Sequence, residues 1–167
     1  MIYYISGGAR SGKSSFAQRL ALNLSDTPVY LATSRIWDND HQARIERHQA
    51  DRDERWTNIE EEKYLSKHDF EGRVVLLDCV TLWLTNFYMD HSADIDRCLQ
   101  EAKDELNDLF AQKADFIIVS NELGMGLHAD TELGRKFVDL QGWVNQYIAS
   151  RSHKAFFMVS GLPLCLK

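Results

Sequence analysis

Five short apolar runs punctuate the chain. They are Ile2-Tyr3-Tyr4-Ile5, Val29-Tyr30-Leu31-Ala32, Val74-Val75-Leu76-Leu77, Phe116-Ile117-Ile118-Val119 and Ala155-Phe156-Phe157-Met158-Val159. Each is too short for a helix and is rich in β-branched or aromatic residues, so each predicts a buried strand. Between them the apolar positions change period. Phe16, Ala17, Leu20, Ala21 and Leu24 repeat at helical spacing after the first run. Ile95, Cys98, Leu99, Ala102, Leu106, Leu109 and Phe110 form one stripe from about Asp94 to Gln112. Phe137, Val138, Val144 and Ile148 mark a helix from about Thr131 to Ser150, and Cys79 to Asn86 turns into another. Asn39 or Asp40 would cap a helix from about residue 40 to 51. Glu60-Glu61-Glu62 predicts the start of a short helix, since acidic residues suit a helix N-terminus. Residues 51 to 72 are otherwise the least legible, with Trp56 read as core. Alternating strands and helices predict an α/β fold in one domain over residues 1–167, with a mostly parallel sheet and helices on both faces.

Composition narrows the function. A chain of 167 residues can bury a full core. The net charge of -6 argues against non-specific nucleic-acid binding. No stretch has the length of a membrane span, and the N-terminal apolar run lacks the form of a signal peptide. Cys79, Cys98 and Cys165 are odd in number and far apart, which suits reduced thiols in a cytoplasmic protein. They lack zinc-ligand spacing and are read as small buried hydrophobes.

One stretch carries chemistry on its face. Gly7-Gly8-Ala9-Arg10-Ser11-Gly12-Lys13-Ser14 follows a strand, precedes a helix and fits G-x-x-x-x-G-K-[ST]. Glycines let the backbone curl so that several N–H groups point inward, and the helix N-terminus adds partial positive charge. Lys13 would reach the outer phosphates of a nucleotide, and Ser14 would offer its hydroxyl to Mg²⁺.

Other candidates gather at predicted strand ends. Thr33, Ser34 and Arg35 follow the second strand, where ligands collect in open α/β sheets, and a nucleotide contact and a plain polar turn stand level. Asp78 closes the most apolar strand, where a carboxylate commonly holds Mg²⁺. Arg44, His48 and Arg52 are four apart and would share a helical face. Two guanidiniums disfavour the imidazolium, and a neutral imidazole is a nucleophile whose arginine neighbours could hold the phosphates it attacks. A solvated face with an idle histidine is the plain alternative. Asn121-Glu122-Leu123-Gly124-Met125-Gly126 places two glycines beyond a strand end, as in a loop shaped for close approach.

Together these stretches resemble a known family. They are the phosphate loop, Tyr30-Leu31-Ala32-Thr33, Arg44-Ile45-x-x-His48-x-x-x-Arg52, Trp56, Asp78-Cys79-x-Thr81-Leu82-Trp83-Leu84-Thr85-Asn86, Ser120-Asn121-Glu122-x-Gly124-Met125-Gly126 and Ser160-Gly161-Leu162-Pro163. The set is similar, nearly end to end and in order, to the bifunctional adenosylcobinamide kinase / adenosylcobinamide-phosphate guanylyltransferases of cobalamin biosynthesis. The resemblance implies a P-loop NTPase of RecA-like fold, assembled as a trimer. It implies transfer of a γ-phosphoryl group from ATP or GTP to the hydroxyl of adenosylcobinamide. It then implies attack of a histidine on the α-phosphorus of GTP and passage of GMP to adenosylcobinamide phosphate. The guanylylated histidine falls on His48, and Arg47 stands where some relatives carry a second histidine. Nucleotide contacts would fall on the phosphate loop, Thr33 to Arg35, Arg52, Glu60 and Asp78. Asp78 would bind Mg²⁺ or accept hydrogen bonds from guanine. The chain departs from the family by lacking a proline after Gly126, where Leu127-His128-Ala129 stands, and another between Asn58 and Phe70. A P-loop kinase for another alcohol and a non-enzymatic nucleotide switch are the alternatives.

Overall fold

The computed structural model describes residues 1–35 and 53–167. Its centre is a seven-stranded sheet in the order β3-β2-β4-β5-β1-β6-β7. The strands are β1 (Ile2–Gly7), β2 (Val29–Ala32), β3 (Thr57–Glu60), β4 (Val74–Asp78), β5 (Asp115–Asn121), β6 (Lys154–Val159) and β7 (Leu162–Cys165). All neighbours pair in parallel except β6 and β7. Among the described residues four helices connect them: α1 (Lys13–Leu24), α2 (Val80–Asp90), α3 (Ile95–Ala111) and α4 (Glu132–Arg151). Parallel pairing needs crossovers, and helical crossovers cover both faces of the sheet. The expected α/β layering is therefore present.

The continuous apolar runs are explained by burial on both sides. Along β1, Ile2 and Tyr4 join one core cluster while Tyr3 and Ile5 join another. Val75 and Leu77 alternate with Val74 and Leu76 in the same way on β4. The first cluster is completed by α2, α3 and α4 through Trp83, Phe87, Leu106, Leu109, Val144 and Ile148. The second is completed by Ala17 and Ala21 of α1. Small residues let α1 lie close to the strands that bracket the phosphate loop. Trp56 is buried in this second cluster, in edge-to-face contact with Tyr30 at 6.0 Å, so it is a core residue. Side-chain caps start two helices where the sequence places them. Asp94 accepts from the Arg97 N–H at α3, and Thr131 accepts from the Gly134 N–H at α4.

Two strands escape the hydrophobic pattern, and one helix prediction is overturned. Thr57-Asn58-Ile59-Glu60 is the edge strand β3, largely exposed and held by pairing with β2 on one side only. Glu60 therefore ends a strand and does not open a helix; the short helical turn is of 3-10 type and spans Leu65–Lys67. At the other edge, Ser160 (φ 51°) and Gly161 (φ 84°) form a two-residue turn that folds β7 back on β6. Pro163 is tolerated because β7 is an edge strand. Cys165 is exposed there, against the expectation of burial. Cys79 and Cys98 are buried, and burial pushes their thiols up to about 12 and about 11, so both are neutral. All three cysteines are free. No helix among the described residues is long and apolar enough to cross a membrane.

Glu61 pins the turn that follows β3. Its carboxylate is buried and accepts from the backbone N–H groups of Lys63 and Tyr64 at 3.0 Å each, and it pairs with Lys67. Burial raises its pKa, but Lys67 and the two N–H donors outweigh that, and the carboxyl titrates below its ordinary value. A depressed folded pKa gives stability that is full above the ordinary carboxylate value and is lost as pH falls through the folded one. Glu61→Gln is therefore expected to lower the urea midpoint at pH 7 and to flatten its fall on acidification. A variant with an unchanged acid limb would show that other carboxylates govern it.

Candidate active site

The parallel register assembles the site. Gly7 at the end of β1 is level with Asn121 at the end of β5, and Asp78 at the end of β4 is level with Val119. Asp78 is also paired with Ala32, so the residues after β2 emerge beside it. The carboxyl ends of β1, β5, β4 and β2 thus form one rim, where ligands of open α/β sheets bind.

The phosphate loop has the backbone that its glycines predict. Gly7 (φ 153°), Arg10 (φ 58°) and Gly12 (φ 93°) all have positive φ. A Cβ on Gly7 would lie 2.7 Å from the Met158 carbonyl oxygen. A Cβ on Gly12 would lie 3.0 Å from the Cα of Gly161, so the β6–β7 turn packs directly on the loop. The Gly161 N–H donates to the Ser11 carbonyl at 2.9 Å and locks that contact. Ala9 and Arg10 are exposed, Gly8 and Ser14 are half-buried, and Ser11 and Lys13 are buried. Gly12 caps α1 without any side-chain cap, and no acidic residue occupies the first turn. The N-terminal N–H groups and the positive end of the helix dipole are thereby left to an anion.

Lys13 sits inside this curl. Its ammonium donates to the Gly8 carbonyl at 2.6 Å and the Ser11 hydroxyl at 3.4 Å. Burial lowers its pKa, and the neighbouring Cys79 and Asp78 pull the other way. A desolvated cation attracts phosphate more strongly than a hydrated one, because its charge is less screened and it has little water to shed. Asp78 is held by the Tyr30 hydroxyl, which donates to its Oδ2 at 3.1 Å. Ser14 and Asp78 offer a hydroxyl and a carboxylate, hard oxygens that fit Mg²⁺. Among the described residues no group of three or more His, Cys, Asp or Glu forms a metal cage. A Mg²⁺ ion here would draw its remaining ligands from phosphates and water, its usual habit.

The segment after β2 is tied to its neighbours by side-chain contacts. Thr33 is fully buried, and its hydroxyl donates to the Cys79 carbonyl at 2.8 Å. Its side chain splices the end of β2 to the start of α2. Ser34 is half-buried, with its hydroxyl 3.4 Å from the Arg35 carbonyl. Arg35 pairs with Glu62 at 2.7 Å and with Asp90 at 2.9 Å. The hydrogen bonds from Arg35 and Lys63 hold Asp90 well below the usual carboxylate range. Glu60 ends β3 at the outer edge of the rim, two strands from the Asp78 strand β4. Arg44, His48 and Arg52, with the helix predicted from 40 to 51, lie outside the described residues.

Several contributors were present in the sequence without an assigned role. Tyr30 orients Asp78, and Gly161 seats the phosphate loop. Asn86 is fully buried and donates to the carbonyls of Thr33 and Glu62 at 2.8 and 2.9 Å. The Glu122 N–H donates to the Gly7 carbonyl at 3.0 Å, which zips the loop after β5 onto the phosphate loop. Stretches quoted for the family resemblance contain all four; local spacing could not have said what they touch.

Comparison with known proteins places this geometry. A family profile described as "Cobinamide kinase / cobinamide phosphate guanyltransferase" matches residues 3–166. The chain is 41% identical to the bifunctional adenosylcobalamin biosynthesis protein CobP of Pseudomonas aeruginosa, over 98% of this chain and 95% of the relative. It is 36% identical to the bifunctional adenosylcobalamin biosynthesis protein CobU of Escherichia coli, over the whole of both chains. Among solved structures it overlaps an ATPase domain with a TM-score of 0.46 at 12% identity, covering 93% of this chain and 68% of that one. It overlaps the flagellar accessory protein FlaH of Methanocaldococcus jannaschii with a TM-score of 0.48 at 15% identity, covering 99% and 77%. Those two overlaps are too loose to add to the argument. The profile match and the two full-length relatives carry it: this chain belongs to the cobinamide kinase / cobinamide phosphate guanyltransferase family.

Proposed function

We propose that this protein phosphorylates adenosylcobinamide and then converts adenosylcobinamide phosphate to adenosylcobinamide-GDP, with GMP carried on His48. The observation that carries the reading is the phosphate loop, with Lys13 buried in its curl, in a chain matched end to end by the family. In the kinase reaction the loop from Gly7 to Ser14 cradles the phosphates of ATP or GTP, and Lys13 offsets charge that develops during transfer. Ser14 and Asp78 would hold Mg²⁺, which would supply neutralisation of phosphate charge. In the second reaction the imidazole of His48 attacks the α-phosphorus of GTP, a P–N bond forms, and pyrophosphate leaves. Adenosylcobinamide phosphate then attacks the same phosphorus and releases the histidine. Arg44 and Arg52 hold the phosphates under attack, and Ser34, Arg35 and Glu60 line the nucleoside side of the rim. The reading also takes residues 1–167 as one domain of a cytoplasmic homo-oligomer, a trimer by family resemblance, without a nucleic-acid partner.

Lys13→Ala is expected to slow both reactions by about 100- to 1,000-fold, the usual cost of losing one preorganised charge-stabilising donor. Steady-state assays of phosphorylated corrinoid and of pyrophosphate release measure it. Kinase turnover within a few-fold of wild type would exclude the loop as the donor site.

Intact-mass measurement after incubation with GTP and Mg²⁺ is expected to show one added GMP on the wild-type protein and none on His48→Ala. The adduct should survive alkali and vanish in mild acid, as phosphoramidates do, while the kinase reaction of His48→Ala persists. An adduct that remains on His48→Ala and disappears from His128→Ala would move the nucleophile to the exposed loop after Gly126.

A further inference from the structure

A phosphoryl group moving to an alcohol leaves a proton to be taken up. A positioned carboxylate is the usual acceptor in kinases. Asp78 is already engaged by the Tyr30 hydroxyl and by its proximity to Lys13. Glu60 lies at the far edge of the sheet. Glu122 stands nearer the centre of the rim. It follows β5, the strand that separates the phosphate-loop strand β1 from the Asp78 strand β4. It comes one residue beyond the Gly7–Asn121 pair, and its N–H is fastened to the Gly7 carbonyl at 3.0 Å.

Its surroundings are built to keep it there. The Gly124 N–H donates to Glu122 Oε1 at 2.6 Å, so the loop's own backbone orients the carboxylate. A Cβ on Gly124 would lie 3.2 Å from that oxygen, a tight approach that the carboxylate would have to shift to relieve. From beneath, α4 contributes two buried amides to an otherwise apolar interface. Asn145 Nδ2 donates to the Asn121 carbonyl at 3.1 Å, and its Oδ1 accepts from the Ser120 hydroxyl at 2.6 Å. Gln141 Nε2 donates to the Ser120 hydroxyl at 2.8 Å and to Asn145 Oδ1 at 3.0 Å. Buried amides cost free energy in such an interface unless hydrogen bonds compensate them, and the bonds made here hold their partners in place. What these fix is the strand end that carries Glu122.

We propose that Glu122 is the catalytic base of the kinase step, a reading that rests on the kinase function proposed above. The acceptor alcohol gives its proton to the Glu122 carboxylate as its oxygen bonds to the γ-phosphorus. The bond from that phosphorus to the β–γ bridging oxygen breaks, and the electron pair leaves with the nucleoside diphosphate. The proton passes from Glu122 to water. Guanylylation of His48 consumes no alcohol and so does not require Glu122.

The test uses the full chain, ATP or GTP with Mg²⁺, and adenosylcobinamide. Glu122→Gln keeps the size of the side chain and its contact with Gly124 but cannot take the proton. Its kinase kcat is expected to fall about 100- to 10,000-fold, the range of general-base contributions, with KM for the nucleotide little changed. GMP adduct formation should proceed at the wild-type rate, and Glu122→Asp should recover part of the kinase activity. A Glu122→Gln protein with wild-type kinase turnover overturns the assignment alone. Equal loss of kinase turnover and adduct formation, with a lowered melting temperature, makes Glu122 a structural residue and overturns it too. A wild-type protein that phosphorylates no adenosylcobinamide overturns the underlying kinase reading and the assignment with it.

Discussion

The site depends on the parallel register of β1, β5 and β4. Hydrogen bonding between these strands fixes how far each extends past the sheet, and so fixes where Gly7, Asn121 and Asp78 leave it. The register is itself held by side chains that face two separate cores. A slip of one residue would exchange Tyr4 with Ile5 and Leu76 with Leu77 between the two clusters. Burying one such side chain is worth about 1.5–3 kcal/mol, and a slip would misplace many at once. The placement of the phosphate loop beside Asp78 is thus inherited from the packing of apolar side chains buried inside the two cores.

Polar side chains buried along the same rim refine that placement. Thr33 ties β2 to the start of α2, Asn86 ties α2 to the segment after β3, and Asn145 with Gln141 ties α4 to the end of β5. Each hydrogen bond adds only about 1 kcal/mol net, but orphaning one of these buried groups costs about 1–3 kcal/mol. That asymmetry makes them specific rather than merely adhesive. The ion pairs of Arg35, Glu62, Asp90 and Lys63 are partly exposed and worth less, since exposed pairs gain at most about 1 kcal/mol. They organise the outer rim without deciding the fold.

What the sequence made legible follows from the same physics. Strands buried on both faces are continuous apolar runs, and β1, β2, β4, β5 and β6 were readable for that reason. The phosphate loop was readable because positive φ and close approach leave glycine as the residue of choice at 7 and 12. Edge strands show no such run. Thr57-Asn58-Ile59-Glu60 is polar because one flank faces water, and Leu162-Pro163-Leu164-Cys165 contains a proline that counts against a strand until the edge position is known. Thr33 shows a different limit. A threonine at a strand end reads equally as a ligand contact or a polar turn, and only the fold reveals the Cys79 carbonyl, far away in sequence, that takes its hydroxyl. Tyr30 and Asn86 share that property, as do Gln141 and Asn145 in their contacts with Ser120 and Asn121: those partners are remote, so no local spacing announces them.

The central position of β1 has a consequence for how the chain reaches this structure. Ile2 pairs with Phe116, and Tyr3 with Lys154, so the strand that opens the sequence has neighbours made only in its last third. During synthesis this apolar segment must wait without a partner while α1, β2 and β4 emerge. Closing such long loops is entropically slow, and topologies rich in remote pairings fold slowly. The phosphate loop hangs from β1 and is seated by Gly161, so that contact is completed only after β6 and its turn have arrived. Nucleotide binding therefore has to be a late event in the life of each newly made chain, and an unfinished chain exposes its first strand to whatever else is in the cell.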